Sequence, residues 1–157
     1  MRSLLPLLLA AVVAVAAEPN RALVFSKTAG FRHGDSIPLG NKLLESQFKA
    51  AGLEVDFSED SAVFTPENLA KYRAVAFMST TGDIMAPALG KQATADEKAA
   101  AGKVAESRRA AFQAWLEGGG AFVGVHAASD TEYKWPWYGK MIGGYFAGHP
   151  AIQPATL

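Results

Sequence analysis

The sequence contains no cysteine, and in a chain of 157 residues this absence removes several classes of chemistry at once. It excludes disulfide bonds, thiolate nucleophiles, zinc sites built on sulfur and lipid anchors attached through cysteine. Stability must therefore come from the packed core. Half of the residues (50%) are hydrophobic and 19% are charged, a composition typical of one globular domain.

The sequence also lacks an excess of charge of either sign. Fifteen basic residues balance 15 acidic residues, and the formal net charge is zero. Such a balance provides no electrostatic footprint for nucleic acid or for an anionic membrane surface. We therefore expect a small uncharged ligand and no nucleic-acid partner, and leave open whether the chain forms a homo-oligomer.

Long apolar runs are scarce, and the one clear run lies at the N-terminus. Residues 4–15 are almost wholly apolar, follow the positive Arg2, and lead into the small residues 14–17. This pattern predicts a secretory signal peptide over residues 1–17. The run is shorter than the roughly 20 residues of a membrane-spanning helix, so we expect no membrane anchor after cleavage. The mature domain, residues 18–157, is then secreted or periplasmic.

Short apolar segments alternate with helical patterns along the rest of the chain. The predicted strands cover residues 21–26, 53–58, 74–78 and 121–125. Ser36 is the expected N-cap of the first helix, and Thr94 with Glu97 forms a capping box before a long helix that ends at Gly118. The alternation predicts a flavodoxin-like, doubly wound α/β fold, with a mainly parallel sheet and helices on both faces.

Polar loops follow the first, third and fourth predicted strands. In a doubly wound sheet these loops meet in a crevice beyond the carboxyl ends of the strands. We predict His126, His33 and Asp130 as catalytic residues, with the imidazoles acting as general base or as ligands of a divalent metal such as zinc. The alternative is that both histidines only cap their loops by hydrogen bonds.

Further side chains of these loops are candidates for binding the ligand. They are Arg32, Thr81, Asp83, Tyr133, Trp135 and Trp137. Aromatic faces beside carboxylates suit a pyranose ring, whose C–H face stacks while its hydroxyls form hydrogen bonds. The alternative for Trp135 and Trp137 is that they attach their loop to the core.

Four sequence blocks, in order along the chain, carry a family resemblance. They are Lys27-Thr28-x-Gly30-Phe31-Arg32-His33, Phe77-x-Ser79-Thr80-Thr81-Gly82-Asp83, residues 124–133 with the Trp135-Pro136-Trp137-Tyr138 run, and Tyr145-Phe146 with His149-Pro150. Together they closely resemble the ThuA-like (trehalose utilisation) domain. The resemblance implies a class I glutamine amidotransferase-like fold and a role in the catabolism of trehalose or keto-disaccharides.

The chain departs from the wider superfamily in two ways. Glutamine amidotransferases carry a cysteine where His126 stands here, and a chain without a thiol cannot perform that acyl chemistry. ThuA-like domains also continue beyond the position of His149-Pro150. We therefore exclude glutamine hydrolysis and expect the domain to be incomplete at its C-terminus, with an inactive truncated fragment as one alternative.

Three functions remain open on the sequence alone. An acid/base or metal-assisted reaction on a sugar would be an isomerisation, a lyase reaction or the hydrolysis of a keto-glycoside. A carbohydrate-binding domain without turnover would need only the aromatic residues and the polar loops. A serine hydrolase using Ser129 or Ser79 is the least favoured, because neither serine lies in a Gly-x-Ser-x-Gly turn.

Overall fold

The computed structural model describes residues 19–151 and 153–154, so the predicted signal peptide at residues 1–17 lies outside the described residues. The strands of this part of the chain are β1 Arg21–Phe25, β2 Glu54–Ser58, β3 Tyr72–Met78 and β4 Ala121–Val125. The helices are α1 Ser36–Ala50, α2 Pro66–Leu69, α3 Ala95–Glu117 and α4 Pro136–Ile142. Short 3₁₀ turns cover Ser61–Val63 and His126–Ser129.

The four strands form one sheet in the order β2-β1-β3-β4, and every neighbouring pair is parallel. The chain moves from β1 outward to β2 and then returns past β1 to β3. This reversal puts a topological switch point between β1 and β3, where doubly wound folds bind their ligands. The predicted flavodoxin-like fold is confirmed.

Helices cover both faces of the sheet because the strands are apolar on both sides. On one face, Phe25 and Phe77 pack in a cluster that also contains Leu69 of α2, Phe112 of α3 and Tyr138 of α4. On the other face, Val24, Ala76 and Met78 pack against Leu44 and Phe48 of α1. Successive residues of β1 and β3 thus alternate between two cores, as the pleat of a strand requires.

The sequence predicted the start of α3 correctly and the start of α1 with an error of one residue. The capping box at α3 is confirmed, because the Thr94 hydroxyl accepts from Glu97 N–H at 3.2 Å while a Glu97 oxygen accepts from Thr94 N–H at 2.8 Å. The N-cap of α1 is Asp35 and not Ser36, which is already the first helical residue. Asp35 makes no side-chain capping bond. In the part of the chain described, no helix has the length and apolarity needed to cross a membrane.

Candidate functional site

The loops that follow β1, β3 and β4 are joined to one another beyond the ends of the strands. Ala29 N–H donates to the Thr81 carbonyl oxygen at 2.7 Å, and Gly82 N–H donates to the Asp130 carbonyl oxygen at 2.8 Å. The loop after β3 therefore fixes the positions of the loops after β1 and β4 relative to each other. Gly82 has φ +72°, and a Cβ there would lie 3.1 Å from the backbone of Ala29 and of Gly30, so this position requires glycine.

Thr81 connects the loops through its side chain as well. Its hydroxyl donates to the Phe31 carbonyl oxygen at 2.8 Å and accepts from Gly30 N–H at 3.2 Å. Only 1% of the residue is exposed. The hydroxyl predicted to bind a ligand is thus engaged within the protein, where it positions the loop that carries Phe31 and His33.

His33 and His126 come from different loops and contact each other edge to face. The centroids of the two imidazole rings are 4.4 Å apart, with an interplanar angle of 68°. His126 has φ +52°, a left-handed conformation that costs a residue with a side chain about 1–3 kcal/mol. Ser79 N–H donates to the Val125 carbonyl oxygen at 3.2 Å beside this turn. Backbone strain at the end of β4 therefore accompanies the exposed imidazole of His126.

A cavity of about 540 Å³ opens beside the histidine pair. Its size lies within the range of roughly 300–1,000 Å³ that is usual for small-molecule sites. The residues around it are Phe31, His33, His126, Ala127, Ser129, Asp130, Phe146 and His149. The structure thus brings together at one cavity all three residues predicted as catalytic.

Asp130 is held by a tyrosine and not by a histidine. The Tyr133 hydroxyl lies 2.6 Å from Asp130 Oδ1 and 2.8 Å from the Phe146 carbonyl oxygen, two acceptors that compete for its single proton. Partial burial and the Asp130 carboxylate raise the pKa of Tyr133 to about 12. Phe146 N–H donates to the Ser129 carbonyl oxygen at 2.9 Å. Together these bonds attach the segment that follows α4 to the edge of the cavity.

The side chains at the cavity do not make up a protein-ligated metal centre by themselves. Among the described residues, no group of three or more His, Asp, Glu or Cys side chains is arranged to hold a metal ion. Catalytic zinc sites use about three protein ligands, and the His33–His126 pair supplies two.

The tryptophans predicted to bind a ligand contribute instead to the core. Trp135 is 8% exposed and stacks on Trp137, with ring centroids 5.0 Å apart. Trp137 Nε1 donates to Glu117 Oε1 at 2.9 Å. The reason is that Pro136 starts α4 at this point, and the helix turns its aromatic side chains toward Phe112 on the sheet face. The alternative interpretation from the sequence, attachment of the loop to the core, describes both residues.

Arg32 and Asp83 form ion pairs at the surface. Both terminal nitrogens of Arg32 donate to the Glu59 carboxylate, at 3.0 and 2.7 Å. Arg32 also borders a second cleft, of about 390 Å³. Asp83 lies 3.5 Å from Lys134 Nζ and borders neither cleft.

Glu132 is a buried charge whose setting the sequence did not reveal. It is 0% exposed, its Oε1 accepts from Met85 N–H at 2.7 Å, and its Oε2 accepts from Arg109 Nε at 2.7 Å. Burial raises the pKa of the Glu132 carboxyl, while the Met85 amide and the Arg109 guanidinium oppose that rise. The pair anchors residues 131–135 to α3 and lies outside the cavity lining.

Lys27, the first residue of the family-like blocks, is also structural. Its Nζ donates to Ser61 Oγ at 2.6 Å and to the carbonyl oxygens of Ile84 and Ala86 at 2.9 and 2.7 Å. Burial lowers the pKa of this amine. Since all three ammonium protons have an acceptor, Lys27 joins the loop after β1 to two other segments and is not a free nucleophile.

Sequence reasoning missed the two phenylalanines that border the cavity. Phe31 is 72% exposed and Phe146 is 40% exposed. Each stands in a stretch rich in glycine and polar residues, where no apolar periodicity requires a large ring. No local sequence signal marks either ring as a residue of the cavity.

Two kinds of comparison with known proteins found a match for this chain, and the family model among them shows its family. A family model described as ThuA, trehalose utilisation, matches residues 21–157. A ThuA-like protein from Bacteroides uniformis, known from its crystal structure, superposes with a TM-score of 0.52 at 20% identity, over 84% of this chain. The chain spans about half of that protein, 47% of its length. No curated protein matches the chain.

Proposed function

Because the chain belongs to the ThuA, trehalose utilisation, family, we propose that it acts on a carbohydrate at the cavity around His126. The observation that carries this proposal is the contact between His33 and His126, whose ring centroids are 4.4 Å apart at the cavity edge. Two imidazoles from separate loops, beside a carboxylate and exposed aromatic rings, suit acid/base work on a polyhydroxylated ligand.

In the proposed reaction His126 serves as the general base. An imidazole accepts and donates protons near neutral pH, so His126 takes a proton from the sugar and His33 returns one to the product. Asp130 keeps its Oδ2 for a sugar hydroxyl, because the Tyr133 hydroxyl is directed at Oδ1. This proton movement serves isomerisation and lyase reactions; in hydrolysis His126 instead takes the proton from the attacking water, and His33 protonates the leaving oxygen. The family relation favours trehalose or a keto-disaccharide as substrate.

A second candidate function is carbohydrate binding without turnover. It is favoured by the hydrogen bond that the Asp130 carboxylate accepts from Tyr133, since among residues 19–151 and 153–154 neither His33 nor His126 has a carboxylate partner. A binding site needs only the exposed rings and the polar groups, with no proton transfer.

The variant His126→Asn separates the two functions. Asparagine tolerates the left-handed backbone at this position but cannot act as a base at neutral pH. For the enzyme we expect turnover of trehalose or of its keto derivative to fall by about 10²-fold or more, with binding changed far less. Chromatography of the products and calorimetric binding are the two measurements.

A matched control is Glu45→Ala, which breaks an exposed ion pair on α1 and should leave both readouts unchanged. Product formation that survives His126→Asn would contradict the catalytic role of His126. Binding without any product in the wild type would establish the second candidate. About one equivalent of metal, bound by the folded protein and lost in His126→Asn, would contradict the metal-free scheme.

We further propose that the protein is exported. The support is the charge, length and small-residue pattern of residues 1–17. Expression with this segment should yield a mature protein that begins near residue 18 outside the cytoplasm. N-terminal sequencing of the product from each fraction is the test, and an uncleaved chain in the cytoplasm would contradict export.

A further inference from the structure

A second cleft adjoins the cavity at the histidine pair. The cavity measures about 540 Å³ and the cleft about 390 Å³, and the two share Phe31, His33 and His126 as a common wall. Each is large enough for a small-molecule ligand. Beyond the shared wall, the cleft is lined by residues 32–36 of the loop after β1.

The shared wall is a row of rings in edge-to-face contact. The centroids of Phe31 and His33 are 5.0 Å apart, and those of His33 and His126 are 4.4 Å apart. The imidazoles therefore lie at the junction of the two spaces. A proton-transfer group placed there is well positioned to act on the bond between two ligand units when each unit is held on its own side.

The cleft contains a polar group that is already positioned. Glu59 holds both terminal nitrogens of Arg32, at 3.0 and 2.7 Å, and Thr28 Oγ1 lies 3.4 Å from one of them. A guanidinium fixed in this way loses less rotational freedom when it binds a hydroxyl-rich ligand. In the cavity the corresponding contact surface is the exposed ring of Phe146.

Building on the proposed function, we propose that the cleft at residues 32–36 is a second carbohydrate subsite. One sugar ring occupies the cavity against Phe146, the next ring occupies the cleft against Arg32, and the linkage between them lies at the histidine pair. Arg32 then distinguishes two-ring from one-ring ligands, because a single ring in the cavity does not reach it.

The test compares glucose and trehalose by titration calorimetry on the folded chain. We expect trehalose to bind about tenfold more tightly than glucose, since the second ring gains hydrogen bonds to a charged group. In Arg32→Gln the trehalose affinity should fall to that of glucose, with glucose itself bound as before. Phe146→Ala should weaken the binding of both sugars.

Arg73→Gln is the matched control, because Arg73 is an exposed arginine of β3 that borders neither cleft. It should change neither affinity. Equal binding of the two sugars in the wild type, or no effect of Arg32→Gln on trehalose, would overturn the second subsite and leave the proposed function standing. Failure of glucose, trehalose and the keto derivative of trehalose to bind the folded protein would instead overturn the proposed function, and this inference with it.

Discussion

The segment that follows β4 divides into two parts with similar residue types and opposite surroundings. Residues 126–130 include His126 and Asp130, which border the cavity. Residues 131–138 include Glu132 and Trp135, 0% and 8% exposed, which support the loop from within. A carboxylate and a ring thus border the cavity at one point of the segment and pack within the protein a few residues later. What differs is whether the side chain borders the cavity or packs within the protein.

Loss of an aromatic ring from residues 131–138 should lower the free energy of unfolding the most. Trp135→Ala deletes a side chain that stacks on Tyr138 at 5.8 Å and on Trp137, so we expect the free energy of unfolding to fall by about 4 kcal/mol. Phe31→Ala, at an exposed ring of the cavity, should change it by less than about 0.5 kcal/mol. Urea denaturation measures the free energy of unfolding of both variants. Similar losses would contradict the distinction between a ring in the core and a ring at the cavity.

Neutralising the buried Glu132 carboxylate should lower the free energy of unfolding somewhat less. Glu132→Gln leaves Arg109, whose side chain is only 18% exposed, without its charged partner, and we expect a loss of about 3 kcal/mol. The control is Glu45→Ala, which removes an exposed pair with Lys49 and should cost less than about 0.5 kcal/mol. An effect of Glu132→Gln as small as that of the control would show that the ion pair does not anchor the loop.

In residues 126–130, a substitution at His126 should leave the free energy of unfolding unchanged or raise it. His126→Gly removes the strain of φ +52°, offset by the greater freedom of glycine in the unfolded chain. We expect the free energy of unfolding to be kept or raised by at most about 1 kcal/mol, while the proposed sugar turnover is lost. Ala128→Gly, two residues further and buried, should lower it instead. Thermal denaturation of the two variants is the measurement, and a similar loss of stability in both would contradict the strain at His126.

The smallest effect concerns the ionisation of two tyrosines, Tyr133 within residues 131–138 and Tyr72 of β3. Burial, with help from Asp130, raises the pKa of Tyr133 from 10.0 to about 12, and burial with Asp56 does the same for Tyr72. A raised pKa means that the neutral phenol stabilises the fold below pH 10, and that this stability is lost as the pH rises toward 12.

Alkaline titration of phenolate absorbance is the measurement. Tyr133→Phe should remove one group that ionises near pH 12 and leave the acid side of the stability profile unchanged. The urea-unfolded chain is the reference, in which all phenols ionise near their ordinary pKa. A Tyr133 phenol that ionises at pH 10 in the folded protein would contradict the hydrogen bond to Asp130.

The sequence predicted the fold because its signals were local and repeated. The strand at residues 121–125 was predicted with the bounds that the structure has, since the apolar run begins directly after three glycines and ends at the polar His126. The start of α1 was wrong by one residue, because Asp35 and Ser36 are both good capping residues and only the backbone decides between them. The mainly parallel sheet followed from the alternation of strands and helices.

The sequence by itself thus determined the doubly wound fold, and the family resemblance that the family model has confirmed. It also brought His33, His126 and Asp130 forward as candidates, because polar residues that follow parallel strands meet at one edge. Only the tertiary structure decided which aromatic rings reach the cavity. Trp135 and Phe146 are both rings in glycine- and proline-rich surroundings, and their direction is set by packing against α3 and by the Tyr133 hydrogen bonds. Such contacts join residues far apart in the chain, so no local pattern can encode them.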